Sequence, residues 1–147
     1  NNLKIDDYDF VFISGGWGAA YDLGYSEILG EKISQAYYSE KTIIGAVCHG
    51  VLGFIKAKDS LGKLIIKNRR MTGVTNKQIK ELGIDFTPQH PEDELIKAGA
   101  IFESKTAFRD AFADLTITDD NAKFVTGQNQ NAGHETPQKM MEILKNK

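Results

Sequence analysis

At 147 residues the chain is long enough for one domain with a substantial core, and 41% hydrophobic with 26% charged residues is the balance of an ordinary globular protein. A formal net charge of −2 leaves no electrostatic footprint for nucleic acid or an anionic membrane surface; the densest basic run, Lys67-Asn68-Arg69-Arg70, is short enough to be a solvated turn or strand end. No apolar stretch nears the roughly 18 residues of a membrane span, no signal peptide is visible, and a single cysteine suits a reducing compartment, so a cytoplasmic setting is expected. The chain opens on Asn1-Asn2 without an initiator Met, so a processed, trimmed or partial chain is expected.

In chain order, Asp9-Phe-Val-Phe-Ile-Ser14 is short, β-branched and aromatic and stops at Gly15-Gly16, which predicts a buried strand. Ser26 to Ser39 carries Ile28, Leu29, Ile33, Ala36 and Tyr37 at helical spacing, with Ser26 as N-cap. Thr42 to Val47 predicts a second buried strand, followed at once by a helix from His49 to about Ala57. Lys63 to Met71 reads as extended. Thr75 to Leu82 and Glu92 to Ala98 read as short helices stopped by Gly83 and Gly99. Ala100 to Glu103, Leu115 to Thr118 and Phe124 to Thr126 read as strands, and Glu135 to Lys145 as an amphipathic helix carrying Met140, Met141, Ile143 and Leu144. Such alternation predicts an α/β domain over residues 1–147, with a mostly parallel sheet covered by helices on both faces.

Three segments carry chemistry. In Ile43-Ile-Gly-Ala-Val-Cys-His-Gly50 a buried strand runs into Cys48 and a helix starts after it, with small residues two before and two after the cysteine. That is the pattern of a nucleophile elbow, whose small neighbours let a strained turn project the side chain. The following helix N-terminus is expected to favour the thiolate, and the adjacent His49 supplies a proton acceptor. In Phe12-Ile-Ser-Gly-Gly-Trp-Gly18, glycines at the end of a strand leave backbone N–H groups open to a developing oxyanion. Thr126-Gly-Gln-Asn-Gln-Asn-Ala-Gly133 leads from a strand through a polar turn into a helix, and alone reads as a loop and cap. No His, Cys, Asp or Glu spacing suggests a metal site. Read as bland structure, Cys48 would be a small buried hydrophobe and His49 a surface residue; the elbow spacing and the pairing of the two argue for chemistry.

In this order the three segments resemble the ThiJ/PfpI superfamily of class I glutamine-amidotransferase-like folds, most nearly its chaperone and glutathione-independent glyoxalase (glyoxalase III) branch. The family's Gly-Gly-His-Gly segment stands here as Gly15-Gly-Trp-Gly18, its Cys-His-Gly elbow as Cys48-His-Gly50 and its Thr-Gly-Gln-Asn-Pro segment as Thr126-Gly-Gln-Asn-Gln130; Met71 to Thr75 and Glu92 to Ala100 are also similar to family stretches. The resemblance implies a flavodoxin-like three-layer sandwich. It also implies cofactor-free attack of Cys48 on the aldehyde of an α-oxoaldehyde such as methylglyoxal, followed by proton movement through His49 and hydrolysis to the hydroxy acid. Gly15, Gly16 and Trp17 would line the oxyanion and substrate site. A stress or chaperone role and a homodimer are further implications.

Three departures from the family pattern shape the expectation. Trp17 stands where the branch has His. Ile79 stands where it has the acid that orients the elbow histidine, leaving Glu81 as the nearest carboxylate candidate. The family's first strand–helix–strand unit, whose Glu contacts the nucleophile, has no counterpart before Asp9, so the expectation is either a partial chain or a second chain that supplies that segment. Gln89-His-Pro-Glu92 supports an alternative, amide hydrolysis of the glutamine-amidotransferase type with Cys48, His90 and Glu92. A third possibility is a non-enzymatic holdase or redox sensor built on an oxidisable Cys48.

Overall fold

A computed structural model describes residues 3–147. Asn1 and Asn2, on which the expectation of a processed chain rests, lie outside the described residues.

A four-stranded sheet of order β1-β2-β6-β5 forms the centre. Strands β1 (Phe10–Ile13), β2 (Ile43–Val47) and β6 (Phe124–Gly127) run parallel, and β5 (Thr116–Thr118) pairs with β6 antiparallel at one edge. Every residue of β2 is buried, as a central parallel strand requires. Successive side chains face opposite layers. Ile44, Ala46 and Phe124 join a large core with Ile33, Ala36, Val51, Phe54 and Leu95, whereas Ile43 and Val125 pack with Met140 on the other side. The latter face is covered by α4 (Glu135–Lys145), the former by α1 (Glu27–Tyr38) and α3 (Pro91–Lys97). The fold is therefore α/β with a mostly parallel sheet and helices on both faces, as the alternation predicts.

Local chemistry explains the ends of the elements. Ser26 Oγ accepts from Leu29 N at 3.1 Å and caps α1, and Thr75 Oγ1 accepts from Gln78 N at 3.1 Å and caps α2 (Asn76–Glu81). Gly83 and Gly99 follow α2 and α3 at φ 69° and 85°, a region open to glycine at little cost. A separate two-stranded pair, β3 (Arg70–Met71) and β4 (Ile101–Phe102), flanks the core.

Two expectations need adjusting. The helix expected after Cys48 is present as a 3-10 helix, Cys48–Phe54, and ends short of Ala57. Gly50 and Gly53, both in this segment, are poor α-helix formers, and both sit in close contact with neighbouring elements. Lys63 to Met71 is extended only at the Leu64 bridge to Lys58 and at Arg70–Met71; Ile65 to Asn68 turn instead, placing Ile65 and Ile66 in the core and Arg69 on Asp119. Among the described residues no helix is long and apolar enough to cross a membrane.

Candidate active site

The register sets the site. Ile13 pairs with Ala46, and Val47 pairs with Gly127, so Ser14-Gly15, Cys48 and Gln128 all emerge at the same carboxyl edge of the sheet, where open α/β sheets bind ligands. Cys48 takes φ 58°, left-handed and unusual for a residue with a Cβ. The small neighbours have a concrete purpose. A Cβ on Gly50 would lie 2.5 Å from Ile13 O and 3.0 Å from Ser14 O. One on Gly15 would lie 2.6 Å from Val47 O and 3.1 Å from Cys48 Cβ. The two turns touch backbone to backbone, which only glycine on both sides allows.

Cys48 Sγ lies 3.4 Å from His49 Nδ1, and the backbone N–H groups of His49 and Gly16 donate toward the sulfur. Gly16 adopts φ 99°, a backbone region that glycine reaches at little cost. Trp17 opens the 3-10 turn Trp17–Tyr21, is half-exposed, and packs edge to face on Tyr21 with ring centroids 6.1 Å apart. The structure thus brings Cys48, His49, Gly15 and Gly16 together, with Trp17 next in the chain.

The expected thiolate is not favoured at rest. Burial pushes the Cys48 pKa up and outweighs the two backbone N–H groups that lower it. His49, 3% exposed, is lowered from the ordinary 6.5 to about 4, first by burial and then by the positive form of His90. The resting pair is neutral thiol and neutral imidazole. A consequence for stability follows from the sign of this shift. The unfolded chain takes up the His49 proton at higher pH than the folded chain, so stability is full above pH 6.5 and is lost as pH falls toward 4. The His49 share is on the order of 2 kcal/mol, the full linkage value reduced for solvent screening. Urea unfolding at pH 7 and pH 4 is expected to show this loss in the wild type and a smaller one in His49→Gln.

Glu81 does not orient His49. Its Oε2 accepts from Asp110 N at 2.8 Å and its Oε1 lies 3.7 Å from Lys77 Nζ, so it is committed to anchoring the turn at Asp110–Phe112. His49 Nε2 has no hydrogen-bond partner, and Ile79, where the acid was expected, is 2% exposed within the core. Nor are Cys48, His90 and Glu92 arranged as an amidotransferase set. Glu92 Oε2 accepts from Asn76 N at 2.7 Å, and His90 Nδ1 meets Asn76 Oδ1 at 2.9 Å.

The third segment supports the site from below. Gln128 is bonded twice to the backbone of Lys105, its Oε1 accepting from Lys105 N at 2.8 Å and its Nε2 donating to Lys105 O at 2.9 Å. Asn129 Nδ2 donates to Asp110 O at 3.0 Å and to Ala113 O. Both residues are fully buried, so they pin residues 105–113 rather than meet substrate. Asp110 is held there as well. Burial would raise its pKa, but Lys77, Thr75, Thr106 and the Ala107 N–H together hold it at about 2. Sequence reasoning passed over the Asn76–His90 pair as a unit. The two helix starts that carry them, Thr75-Asn76 and His90-Pro91, meet in space only through the fold, so no local pattern joins them. Among the described residues no three His, Cys, Asp or Glu side chains group so as to hold a metal ion.

A parallel sheet carrying a strained cysteine at its carboxyl edge, with an imidazole on its sulfur and a glycine turn beside it, defines a class of cysteine-elbow α/β proteins. The chain belongs to the DJ-1/PfpI family, whose model matches residues 1–142. It is 31% identical over 150 residues to the glutathione-independent glyoxalase HSP31 of Saccharomyces cerevisiae, covering 98% of this chain and 61% of that protein. It superposes on Rapid Encystment Protein 24 KDa of Francisella tularensis with a TM-score of 0.88 at 29% identity, over 97% of this chain and 61% of that one. Glyoxalase III from Candida albicans gives 0.82 at 25% identity, over 96% and 59%. The chain therefore spans about three-fifths of the length of these relatives.

Proposed function

We propose that this chain carries the catalytic half of a cofactor-free, cysteine-dependent glyoxalase acting on a small α-oxoaldehyde such as methylglyoxal. The observation that carries the reading is Cys48 Sγ, held on a left-handed backbone between His49 Nδ1 and the Gly16 N–H. Relatives named as glutathione-independent glyoxalases support the reaction class.

The neutral resting pair sets the order of events. Cys48 Sγ adds to the aldehyde carbon while its proton passes to His49 Nδ1. The new negative charge falls on the former carbonyl oxygen, which Gly16 N–H is placed to stabilise, so a free buried thiolate is never formed. Once that oxygen is protonated, the hemithioacetal loses its C1 proton to His49 and regains one at C2, giving a thioester of the hydroxy acid. Water then cleaves the C–S bond, releasing the 2-hydroxy acid and returning the thiol. Trp17, half-exposed beside this turn, gives the substrate an apolar wall.

A raised thiol pKa weighs against a redox sensor, which needs an exposed thiolate. β1 lies at the sheet edge with Phe10 41% exposed, so a strand from a second chain, or from elsewhere in a longer protein, would pair there. The test is direct. Purified protein and methylglyoxal without glutathione, followed by proton NMR, are expected to yield lactate. Consumption without lactate, or none at any pH from 6 to 9, would sink the substrate assignment.

A further inference from the structure

The far end of β6 carries a second group of chemical interest. Lys123 immediately precedes Phe124, the first residue of β6, whereas Gly127 ends the strand beside the elbow. Four residues of strand separate the two, roughly 13 Å, so Lys123 stands at the amino edge of the sheet and Cys48 at the carboxyl edge. The turn that presents Lys123 is closely held. Ala122 N donates to Asp119 O at 2.9 Å, and Asp119 Oδ1 accepts from Lys123 N at 2.7 Å and from Phe124 N at 2.8 Å.

Its side-chain amine is held as well. Lys123 Nζ donates to Ser39 O and to Thr42 O, both at 2.6 Å. Lys147 Nζ reaches the two carbonyls between them, Glu40 O at 3.1 Å and Lys41 O at 3.4 Å. Two amines therefore cap four successive carbonyls of one turn. The nearby carboxylate does not neutralise them, because Asp119 Oδ2 is engaged by Arg69 and Oδ1 by the backbone. Among the described residues no carboxylate pairs with the Lys123 amine. Lys123, Lys147 and Arg69 line one cavity of about 510 Å³ with Tyr37, Tyr38 and the exposed Glu40.

The bonding suits a neutral amine. An ammonium has three N–H donors, a free amine two and a lone pair. The two carbonyls take two donors, which leaves the third position on Lys123 Nζ without a protein partner. Burial lowers the Lys123 pKa to about 8, with Lys147 and Arg69 adding to the effect and Asp119 opposing it. A lysine desolvated beside other cations is the usual form of an amine nucleophile. Lys147 keeps one of its three donors free and Arg69 two of its five, so the cavity offers two cations to a dianion.

We propose that Lys123 is a reactive amine that forms an imine with a small phosphorylated aldehyde, whose phosphate Lys147 and Arg69 hold in this cavity. The Nζ lone pair adds to the aldehyde carbon and the carbonyl π pair moves to oxygen. That oxygen leaves as water with the two amine protons, so amine and aldehyde give imine and water with no change of oxidation state. The site is independent of Cys48 and of the glyoxalase reading.

The test labels the protein with pyridoxal 5′-phosphate, traps the imine with borohydride and maps it by peptide mass across pH 6 to 11, with unphosphorylated pyridoxal alongside. At pH 7.5 a group of pKa 8 has about a quarter of its amine free and an ordinary lysine about a thousandth, so even a weaker nucleophile gains roughly tenfold. Lys123 is expected to label roughly tenfold faster than the exposed Lys63 and Lys105, with a midpoint near 8, and faster with the phosphate than without it. Lys147→Gln is expected to raise the midpoint and to narrow the gap between the two aldehydes. Lys123→Arg is expected to lose the label and to convert methylglyoxal like the wild type, and Cys48→Ala to label like the wild type. Labelling of Lys123 no faster than Lys63 and Lys105, or a midpoint near 10, overturns the proposal. Equal labelling by the two aldehydes overturns the phosphate site. All three readings come from the wild-type protein, so they hold even if a variant fails to fold.

Discussion

Replacing Cys48 with alanine is expected to leave a folded protein that converts methylglyoxal at least roughly 10⁴-fold more slowly, since removing the nucleophile of a coupled set forfeits nearly all its catalysis. His49→Ala is expected to lose less, roughly 10²- to 10⁴-fold, the usual range for a general base. The backbone adds a check that activity alone does not give. At φ 58° any side chain with a Cβ costs about 1–2 kcal/mol relative to glycine. Glycine recovers part of that and loses some to the entropy of a more flexible unfolded chain. Cys48→Gly is thus expected to be more stable than Cys48→Ala by about 1 kcal/mol, while both are inactive. Equal melting temperatures for the two would show that the elbow is not strained, and wild-type turnover in Cys48→Ala would remove the cysteine from the mechanism.

How much of this was legible in the chain differs by element. The strands at Asp9–Ser14 and Thr42–Val47 and the capped helix from Ser26 were readable because composition, periodicity and stop signals agreed there. The elbow was readable for the same reason: Ala46 and Gly50 flank Cys48 because the turn needs room, and the room is measurable as the Ile13 and Ser14 carbonyls against Gly50. The ionisation state was not readable. A helix start after a cysteine argues for a thiolate, yet burial wins, and burial is a property of the assembled layers. Glu81 was the nearest carboxylate in sequence, but one turn of helix directs it to Asp110 and Lys77 instead. The His90–Asn76 contact joins residues 14 apart on two helices, and no local pattern announces it.

Gly50→Ala is expected to destabilise the protein by about 3 kcal/mol or more and to abolish activity, the largest effect of any single methyl group at the site. The reason is what the methyl would meet. Ile13 O at 2.5 Å and Ser14 O at 3.0 Å are backbone atoms of β1 and the turn that follows, so relief requires the cysteine turn and the glycine turn to separate. Separation moves Gly16 N–H away from the sulfur and uncovers the core beneath. Two other glycines show that position rather than chemistry decides. A Cβ on Gly45 would press on Met140 Sδ, the far end of a flexible side chain on α4, so Gly45→Ala is expected to cost clearly less than Gly50→Ala. Gly18, where a Cβ meets nothing within 4 Å, is expected to accept alanine within about 0.5 kcal/mol. Chemical denaturation of the three variants tests the order Gly50, then Gly45, then Gly18. If Gly50→Ala proves as stable as Gly18→Ala, the two turns are not in backbone contact, and the geometry that places an oxyanion donor beside Cys48 fails with it.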